Sequence, residues 1–122
     1  MSKPTVAILG ASADTSKYGY KSVKAHLANG YDVYPVNPQG GEIDGLKVYT
    51  SLDEVPVEHL TRISVYLPPA VALQMLDAIA KKGCDELFLN PGSESDELVA
   101  RAEGLGLNPI QACSIINLQE SR

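Results

Sequence analysis

The sequence predicts an α/β fold in which an open parallel sheet of about five strands carries helices on both faces. Strand-like and helix-like segments alternate along almost the whole chain, and glycine, proline or asparagine stands at most boundaries between them. Such a βαβα order implies parallel strands, because each helix returns the chain to the same end of the sheet. The length of 122 residues suits one compact domain, 1–122.

Short apolar runs rich in branched residues mark the strands. The first run ends at a glycine, and the second ends at an Asn-Pro turn that is followed by two glycines. A further short strand is considered at 47–49, residues 51–55 are typical of one helical turn, and the segment 115–122 receives no assignment. The predicted strands are 6–9, 31–36, 62–67, 86–89 and about 108–112.

Three amphipathic segments are predicted as helices that pack against the sheet, and each ends at a glycine. The first runs from about residue 19 to residue 29. The second begins at Pro68-Pro69, since proline lacks the N–H that would be unpaired at a helix start. The third is capped by Ser93 or Ser95. The residues expected to face the sheet are Tyr20, Val23 and Leu27, then Leu73, Leu76, Ile79 and Ala80, and then Leu98, Val99 and Ala102.

Composition and charge limit the classes of partner. The formal net charge is −5 at pH 7, whereas nucleic-acid binders normally carry a basic surplus, so no DNA or RNA partner is expected. No apolar stretch is long enough to span a bilayer and no signal-peptide pattern is seen, so we expect no membrane association and a cytoplasmic location. Cys84 and Cys113 lack metal-ligand spacing and are expected to be free thiols.

The most informative segment is residues 5–12, where an apolar run ends abruptly at Gly10, followed by Ala11 and Ser12. A buried strand that ends in this way leads through a tight turn into a helix, whose first N–H groups are unpaired and partly positive. An anion binds readily at such a place. The pattern is not G-x-G-x-x-G, since the next glycine is Gly19, and a plain tight turn is the alternative. We nevertheless predict a nucleotide-like anion site here.

Two further features bear on which nucleotide fits. Lys17, Lys21 and Lys24 follow the turn and would offset the acidic net charge near a phosphate, or else form the solvated face of a helix. The second strand ends at Asn37-Pro38, where a nicotinamide dinucleotide site usually has an acid that reads the ribose hydroxyls. NAD(P) is therefore disfavoured and stays as the alternative ligand. Asn37 either contacts a ribose or phosphate, or only forms an Asn-Pro turn.

No catalytic constellation is evident in the sequence. His26 lies on a predicted helix and His59 precedes a strand, and neither has an obvious Ser, Cys or Asp partner. Cys113 follows the last strand, where it would meet a thiol-bearing ligand, act in a redox sensor, or serve as a small buried hydrophobe. The pattern favours a binding protein over an enzyme, and no catalytic residue is assigned.

Four segments carry a family resemblance. They are VAILGAS at 6–12, YDVYPVNP at 31–38, GLKVY at 45–49 with Ser51-Leu52, and SVYLPP at 64–69. In this order they resemble small stand-alone CoA-binding domain proteins, which are similar in turn to the N-terminal CoA-binding domain of the succinyl-CoA synthetase alpha subunit. The resemblance covers almost the whole chain, but it does not extend to the other domains of the synthetase, so ligase activity is not implied.

The resemblance implies a Rossmann-like sheet that holds coenzyme A or an acyl-CoA, with the pyrophosphate on the 10–12 turn and the adenosine part beside residues 37–40. The chain departs from the family at 90–93, where Asn-Pro-Gly-Ser stands in a loop that often has a glutamine and a glycine. Cys113 looks like a cysteine common near the end of these domains, and exposed sheet edges would allow a homodimer. The expected cofactor-binding residues are Gly10, Ala11, Ser12, Lys17, Tyr18, Lys21, Asn37, Pro38, Tyr66, Leu67, Pro68 and Cys113.

Overall fold

The computed structural model describes residues 3–120; the rest of the predicted domain 1–122, namely Met1, Ser2, Ser121 and Arg122, lies outside the described residues. The strands are β1 (Thr5–Leu9), β2 (Asp32–Val36), β3 (Glu42–Ile43), β4 (Leu46–Lys47), β5 (Leu60–Val65), β6 (Cys84–Leu89) and β7 (Pro109–Ile110). The helices are α1 (Tyr18–Ala28), α2 (Pro69–Lys82), α3 (Asp96–Gly104) and α4 (Ser114–Glu120), with one 3-10 turn at Leu52–Glu54. Within residues 3–120, no helix has the length and apolar character needed to cross a membrane.

Five of the strands form one parallel sheet in the order β2-β1-β5-β6-β7. The chain starts at β1, moves to β2 at one edge, returns to β5 on the other side of β1 and continues outward to β7. Numbered within this sheet, the order is 2-1-3-4-5, one of the two common doubly wound arrangements. The predicted α/β fold with an open parallel sheet is confirmed, and the winding reverses between β1 and β5.

The side chains of β1 alternate between two cores, one on each face of the sheet. Val6 and Ile8 pack with Val23 of α1 on one face, whereas Ala7 and Leu9 pack against residues of α2 and α3 on the other. α1 contacts α4, and α2 contacts α3. A strand covered on both faces needs a continuous apolar run rather than an alternating one, which is why 6–9 is apolar throughout.

The segment between β2 and β5 differs from the prediction. Instead of a strand at 47–49, residues 42–47 form an antiparallel hairpin in which Ile43 pairs with Leu46. The two loop residues, Asp44 and Gly45, have φ of 49° and 84°, as a type I′ turn requires, and Asp-Gly is a preferred pair for that turn. Tyr49 lies beyond the hairpin and forms a single parallel bridge to Val36, which covers part of the β2 edge.

The inward face of α1 was predicted incorrectly at one position. Leu27 is 38% exposed, and the residues that face the sheet are Gly19, Ser22, Val23 and His26. These recur at helical spacing, but only Val23 is a branched apolar residue, so the apolar pattern finds Val23 and misses the other three positions. Small and polar side chains make the close contact instead.

Several boundaries also differ. β5 ends at Val65 rather than at residue 67, so Tyr66 and Leu67 leave the sheet and enter a loop. β7 has only two residues, and the unassigned segment after residue 114 forms the helix α4. In α2 the fully buried positions include Ala72, whereas the predicted Leu73 and Ala80 are half-buried.

Candidate functional site

The candidate site lies at the reversal of winding between β1 and β5. The loops that follow β1, β2, β5 and β6 all open at this edge, because the four strands are parallel. They surround a main cleft of about 650 Å³. Its lining residues are Gly10, Ala11, Ser12, Lys17, Tyr18, Gly19, Asn37, Gln39, Tyr66, Leu67, Pro68, Pro69, Pro91, Gly92 and Ser93.

Two glycines let the backbone segments at this edge approach one another closely. Gly10 has φ +86°, and a Cβ built on it would lie 2.3 Å from the carbonyl oxygen of Tyr66. A Cβ on Gly19, in the first turn of α1, would lie 2.3 Å from the carbonyl oxygen of Gly10. Only glycine fits at either position without a shift of the backbone. Gly19 therefore seats the start of α1 directly on the turn after β1, a role that the sequence analysis did not assign to it.

This packing leaves several backbone amides in and beside the cleft without a partner. The amides of Gly10 and Ala11 both donate to the carbonyl oxygen of Val36, at 3.1 and 3.3 Å. Among residues 3–120, by contrast, no acceptor is found for the amides of Ser12, Ala13, Tyr18 and Gly19. The last two belong to the first turn of an eleven-residue helix that no side chain caps. Unpaired N–H groups and the positive end of the helix dipole together favour an anion.

The side chain of Asn37 holds the turn in place. Its Nδ2 donates to the carbonyl oxygen of Ala11 at 2.9 Å, and its Oδ1 accepts from the amide of Gln39 at 2.9 Å. Asn37 thus forms the Asn-Pro turn and also links it to the turn after β1. Pro38 is exposed and is not among the residues that line the main cleft, whereas Gln39 lines it.

The three lysines that follow the turn have different surroundings. Lys17 lines the main cleft. The ammonium of Lys21 lies 5.0 Å from the centre of the Tyr18 ring, outside the cleft lining but beside it. Lys24 is turned away and pairs with Asp44 at 3.2 Å, and this hydrogen bond raises the pKa of Lys24.

The opposite wall of the cleft comes from the loops after β5 and β6. Tyr66, Leu67 and Pro68 line it as they leave the sheet. Ser93, one of the two predicted candidates for the cap of α3, is buried and its Oγ accepts from the amide of Leu67 at 3.0 Å. The other candidate, Ser95, caps α3 through the amide of Leu98 at 3.1 Å. The sequence gives one indication that Ser93 belongs to the site, namely that its loop follows β6 at the carboxyl end of that strand.

Beyond this wall lies a second space of about 290 Å³, called here the apolar cavity. Cys113 lies here and not among the residues that line the main cleft. Burial raises the pKa of the Tyr66 hydroxyl, which lies 3.0 Å from Ser114 Oγ. The residues that line the apolar cavity are Tyr18, Tyr66, Asn90, Pro91, Cys113, Ile115 and Ile116.

Neither histidine belongs to the lining of the main cleft or of the apolar cavity. His26 is completely buried, its Nδ1 lies 2.8 Å from the carbonyl oxygen of Ser22, and its Nε2 lies 3.4 Å from Arg62. Burial lowers the pKa of His26 to about 4. His59 is exposed and lies 2.7 Å from Asp85. Both have structural partners far along the chain, which the sequence does not reveal.

The sheet order, the glycine turn and the position of the cleft define a doubly wound α/β domain. Its main cleft lies at the carboxyl ends of the strands, where the winding of the sheet reverses. The chain belongs to the CoA binding domain family, whose sequence pattern matches residues 4–119. The predicted resemblance is thereby confirmed, and CoA binding is supported at the level of the domain.

Curated relatives include much longer proteins. The alpha subunit of ADP-forming acetate–CoA ligase I from Pyrococcus furiosus is 38% identical over 85 residues, which are 65% of this chain and 18% of that protein. ADP-forming acetate–CoA ligase from Methanocaldococcus jannaschii is 34% identical over 79 residues, which are 65% of this chain and 11% of that protein. The chain thus spans less than a fifth of the length of these relatives.

Solved structures share the fold. A conserved hypothetical protein from Pyrococcus furiosus superposes with a TM-score of 0.82 at 33% identity, covering 93% of this chain and 98% of that one. The dinucleotide-forming acetyl-coenzyme A synthetase 1 of Ca. Korarchaeum cryptofilum, in complex with phosphate and ADP, gives a TM-score of 0.74 at 29% identity, covering 88% of this chain and 25% of that one. The same fold therefore occurs in a protein of similar size and in part of a larger one.

Proposed function

We propose that this chain binds coenzyme A or an acyl-CoA without catalysing a reaction, and that the pyrophosphate lies on the turn between β1 and α1. The observation that carries the proposal is a set of four unpaired amides, of which those of Ser12, Tyr18 and Gly19 belong to residues that line the main cleft, while that of Ala13 lies beside it. Amides fixed in this way by the fold need no rearrangement to meet an anion, and hydrogen bonds to a charged acceptor are stronger than those to a neutral one.

The order of the loops suggests how the ligand runs. Gln39, after β2, lines one end of the main cleft, and Gly92, after β6, lines the other. These strands are three positions apart in the sheet, so the cleft spans about 14 Å at the usual spacing between strands. With the adenosine beside Asn37 and Gln39, the pantetheine arm would pass Tyr66 and Leu67 toward the loop after β6. An elongated ligand suits this cleft better than a mononucleotide does.

Local cations offset an unfavourable overall charge. The net charge of −5 repels a polyanion. Lys17 at the cleft, with Lys21 beside it, supplies positive charge near the proposed phosphate positions. Because these side chains are exposed, their contribution is screened by salt. Affinity for CoA should therefore fall as ionic strength rises.

The surroundings of the hydroxyl and imidazole groups favour binding over catalysis. In the main cleft, Ser12 Oγ accepts from the amide of Asp14 at 3.0 Å, and Ser93 Oγ accepts from the amide of Leu67. Both hydroxyls thus brace loops, and both histidines lie outside the cleft lining. The ligase relatives are more than five times longer than the matched segment, and we assign this chain a ligand-binding role and not their activity.

Titration calorimetry with CoA, dephospho-CoA, NAD and ADP tests the proposal. CoA should bind most tightly, with a Lys17→Ala variant weakened roughly tenfold, as expected for one charge-assisted contact. Lys81→Ala, which removes an exposed lysine of α2 far from the cleft, is the matched control and should bind like the original chain. Equal indifference to the four compounds would end the proposal, and a preference for NAD would replace it with the dinucleotide alternative.

A further inference from the structure

We propose that the apolar cavity beside the main cleft takes the acyl group of an acyl-CoA thioester, so that the preferred ligand is an apolar acyl-CoA and not free CoA. The inference rests on the proposed function and goes beyond it, because it assigns a separate space to the acyl group. The acyl group is attached at the end of the ligand that is farthest from the adenosine.

The polar atoms at the wall of this cavity already have partners within the protein. Asn90 Nδ2 donates to Ser64 Oγ at 2.9 Å and to the carbonyl oxygen of Val65 at 2.8 Å. Asn90 Oδ1 accepts from the amide of Ser114 at 2.9 Å and from its Oγ at 3.1 Å. These four bonds satisfy the whole side-chain amide. Tyr66 is likewise bonded to Ser114. Few groups remain that could hold an ordered water in this space.

The rest of the wall is apolar or only weakly polar, being formed by Pro91, Cys113, Ile115 and Ile116 together with the Tyr18 ring. Ile116 is 52% exposed and Tyr18 is 64% exposed, so both present apolar surface to solvent, and isoleucine is one of the residues most often buried. A cavity with such a lining holds water poorly and accepts an apolar guest. Burial of an acyl chain here would also cover part of these two side chains.

The apolar cavity adjoins the main cleft on the side away from the proposed adenosine position. Tyr18, Tyr66 and Pro91 line both spaces. The shared wall lies toward β6 and α4, at the opposite end from Gln39 and hence from the proposed adenosine position. A pantetheine arm that follows the cleft past Tyr66 therefore brings its sulfur to the entrance of the cavity. An acyl group attached to that sulfur would point into it.

Calorimetry with CoA, acetyl-CoA, butyryl-CoA and succinyl-CoA, at one salt concentration, tests this assignment. Each buried methylene should tighten binding about fourfold, so butyryl-CoA should bind about 15-fold more tightly than acetyl-CoA. Succinyl-CoA has a similar length but ends in a carboxylate, which an apolar cavity disfavours, so it should gain nothing over acetyl-CoA. Similar affinities for all four would overturn the acyl assignment and leave CoA binding intact. Failure of all four to bind would end both proposals.

A variant pair tests the location. Ile116→Ser removes an apolar part of the cavity wall at a half-exposed position and should reduce the butyryl-to-acetyl affinity ratio to fivefold or less. Leu105→Ser is the matched control, since Leu105 is 44% exposed and lies outside the lining of both spaces; it should keep the full ratio. An unchanged ratio in Ile116→Ser would place the acyl group elsewhere and refute the assignment.

Discussion

Replacement of Gly19 by alanine would place a Cβ 2.3 Å from the carbonyl oxygen of Gly10 and 3.3 Å from the Cα of Ala11. Ordinary van der Waals contact begins at 3.4 Å, so the start of α1 and the turn would have to separate by about 1 Å. Both contacts are to backbone, which cannot swing aside as a flexible side chain would. The interior is close-packed, and such a displacement reaches the residues beneath.

The expected change in the free energy of unfolding is the sum of two opposing contributions. Overpacking of this kind typically costs about 1–3 kcal/mol, while alanine gains up to about 1 kcal/mol over glycine within a helix. The net loss is about 1–2 kcal/mol, which for a domain of this size lowers the Tm by roughly 4–8 °C. The amides of Tyr18 and Gly19 move with the helix, so CoA affinity should fall at least tenfold.

Differential scanning calorimetry and a CoA titration measure the two effects. Gly104→Ala is the matched control, because Gly104 also lies in a helix and a Cβ there meets nothing within 4 Å. This variant should raise the Tm by up to a few degrees and leave CoA affinity unchanged. If Gly19→Ala and Gly104→Ala have the same Tm and the same affinity, the role assigned to Gly19 is wrong.

Three other predictions follow from the charged groups. Burial holds the pKa of His26 at about 4 against an ordinary 6.5, so the unfolded chain takes up a proton at a higher pH than the folded chain does. The free energy of unfolding is therefore unaffected by this group above pH 6.5 and falls as the pH decreases toward 4, by on the order of 3 kcal/mol. Urea unfolding across this range should show a smaller loss for His26→Gln, and equal losses would contradict the reasoning. Asp14→Asn removes a carboxylate from the loop of the proposed phosphate site. Calorimetry should then show that the variant binds CoA severalfold more tightly at low salt, with little change at high salt. An unchanged affinity at low salt would place the phosphates away from this loop. Glu86→Ala removes the carboxylate 3.1 Å from the buried Arg62 and should lower the free energy of unfolding by about 2 kcal/mol, less than for a fully buried pair because Glu86 is partly exposed; an unchanged urea midpoint would show that the pair contributes nothing.

The sheet could be predicted because β1 is a continuous apolar run after Thr5 and because β1, β2 and β6 are each followed by glycine or asparagine. The hairpin at 42–47 has an equally local signal, the pair Asp44-Gly45 flanked by Ile43 and Leu46, which the sequence analysis did not use. The inward face of α1 could not be found in the same way. Ser22 and His26 are hydrogen-bonded to each other within α1, and His26 also lies 3.4 Å from Arg62 of β5. The helical periodicity of apolar residues does not report such contacts.

Some residues of the candidate site could likewise be predicted from the sequence, and others could not. Parallel strands bring the loops after β1, β2, β5 and β6 to one edge, so the topology places Gly10, Asn37 and Tyr66 together. Gly19 acts through close backbone packing, which leaves no pattern in the sequence. Ser93 acts through a hydrogen bond between distant loops, and the sequence indicates only that its loop follows a strand. Cys113 lies in the apolar cavity because of α4, a short helix whose position depends on the buried contacts of Ser114.

An amide-resolved NMR titration with CoA tests the central claim most directly. With ¹⁵N-labelled protein, the amides of Ser12, Ala13, Tyr18 and Gly19 should show the largest shifts and should saturate together, and inorganic pyrophosphate should move the same signals more weakly. Large shifts confined to residues remote from this turn, with these four amides unmoved at saturating CoA, would contradict it.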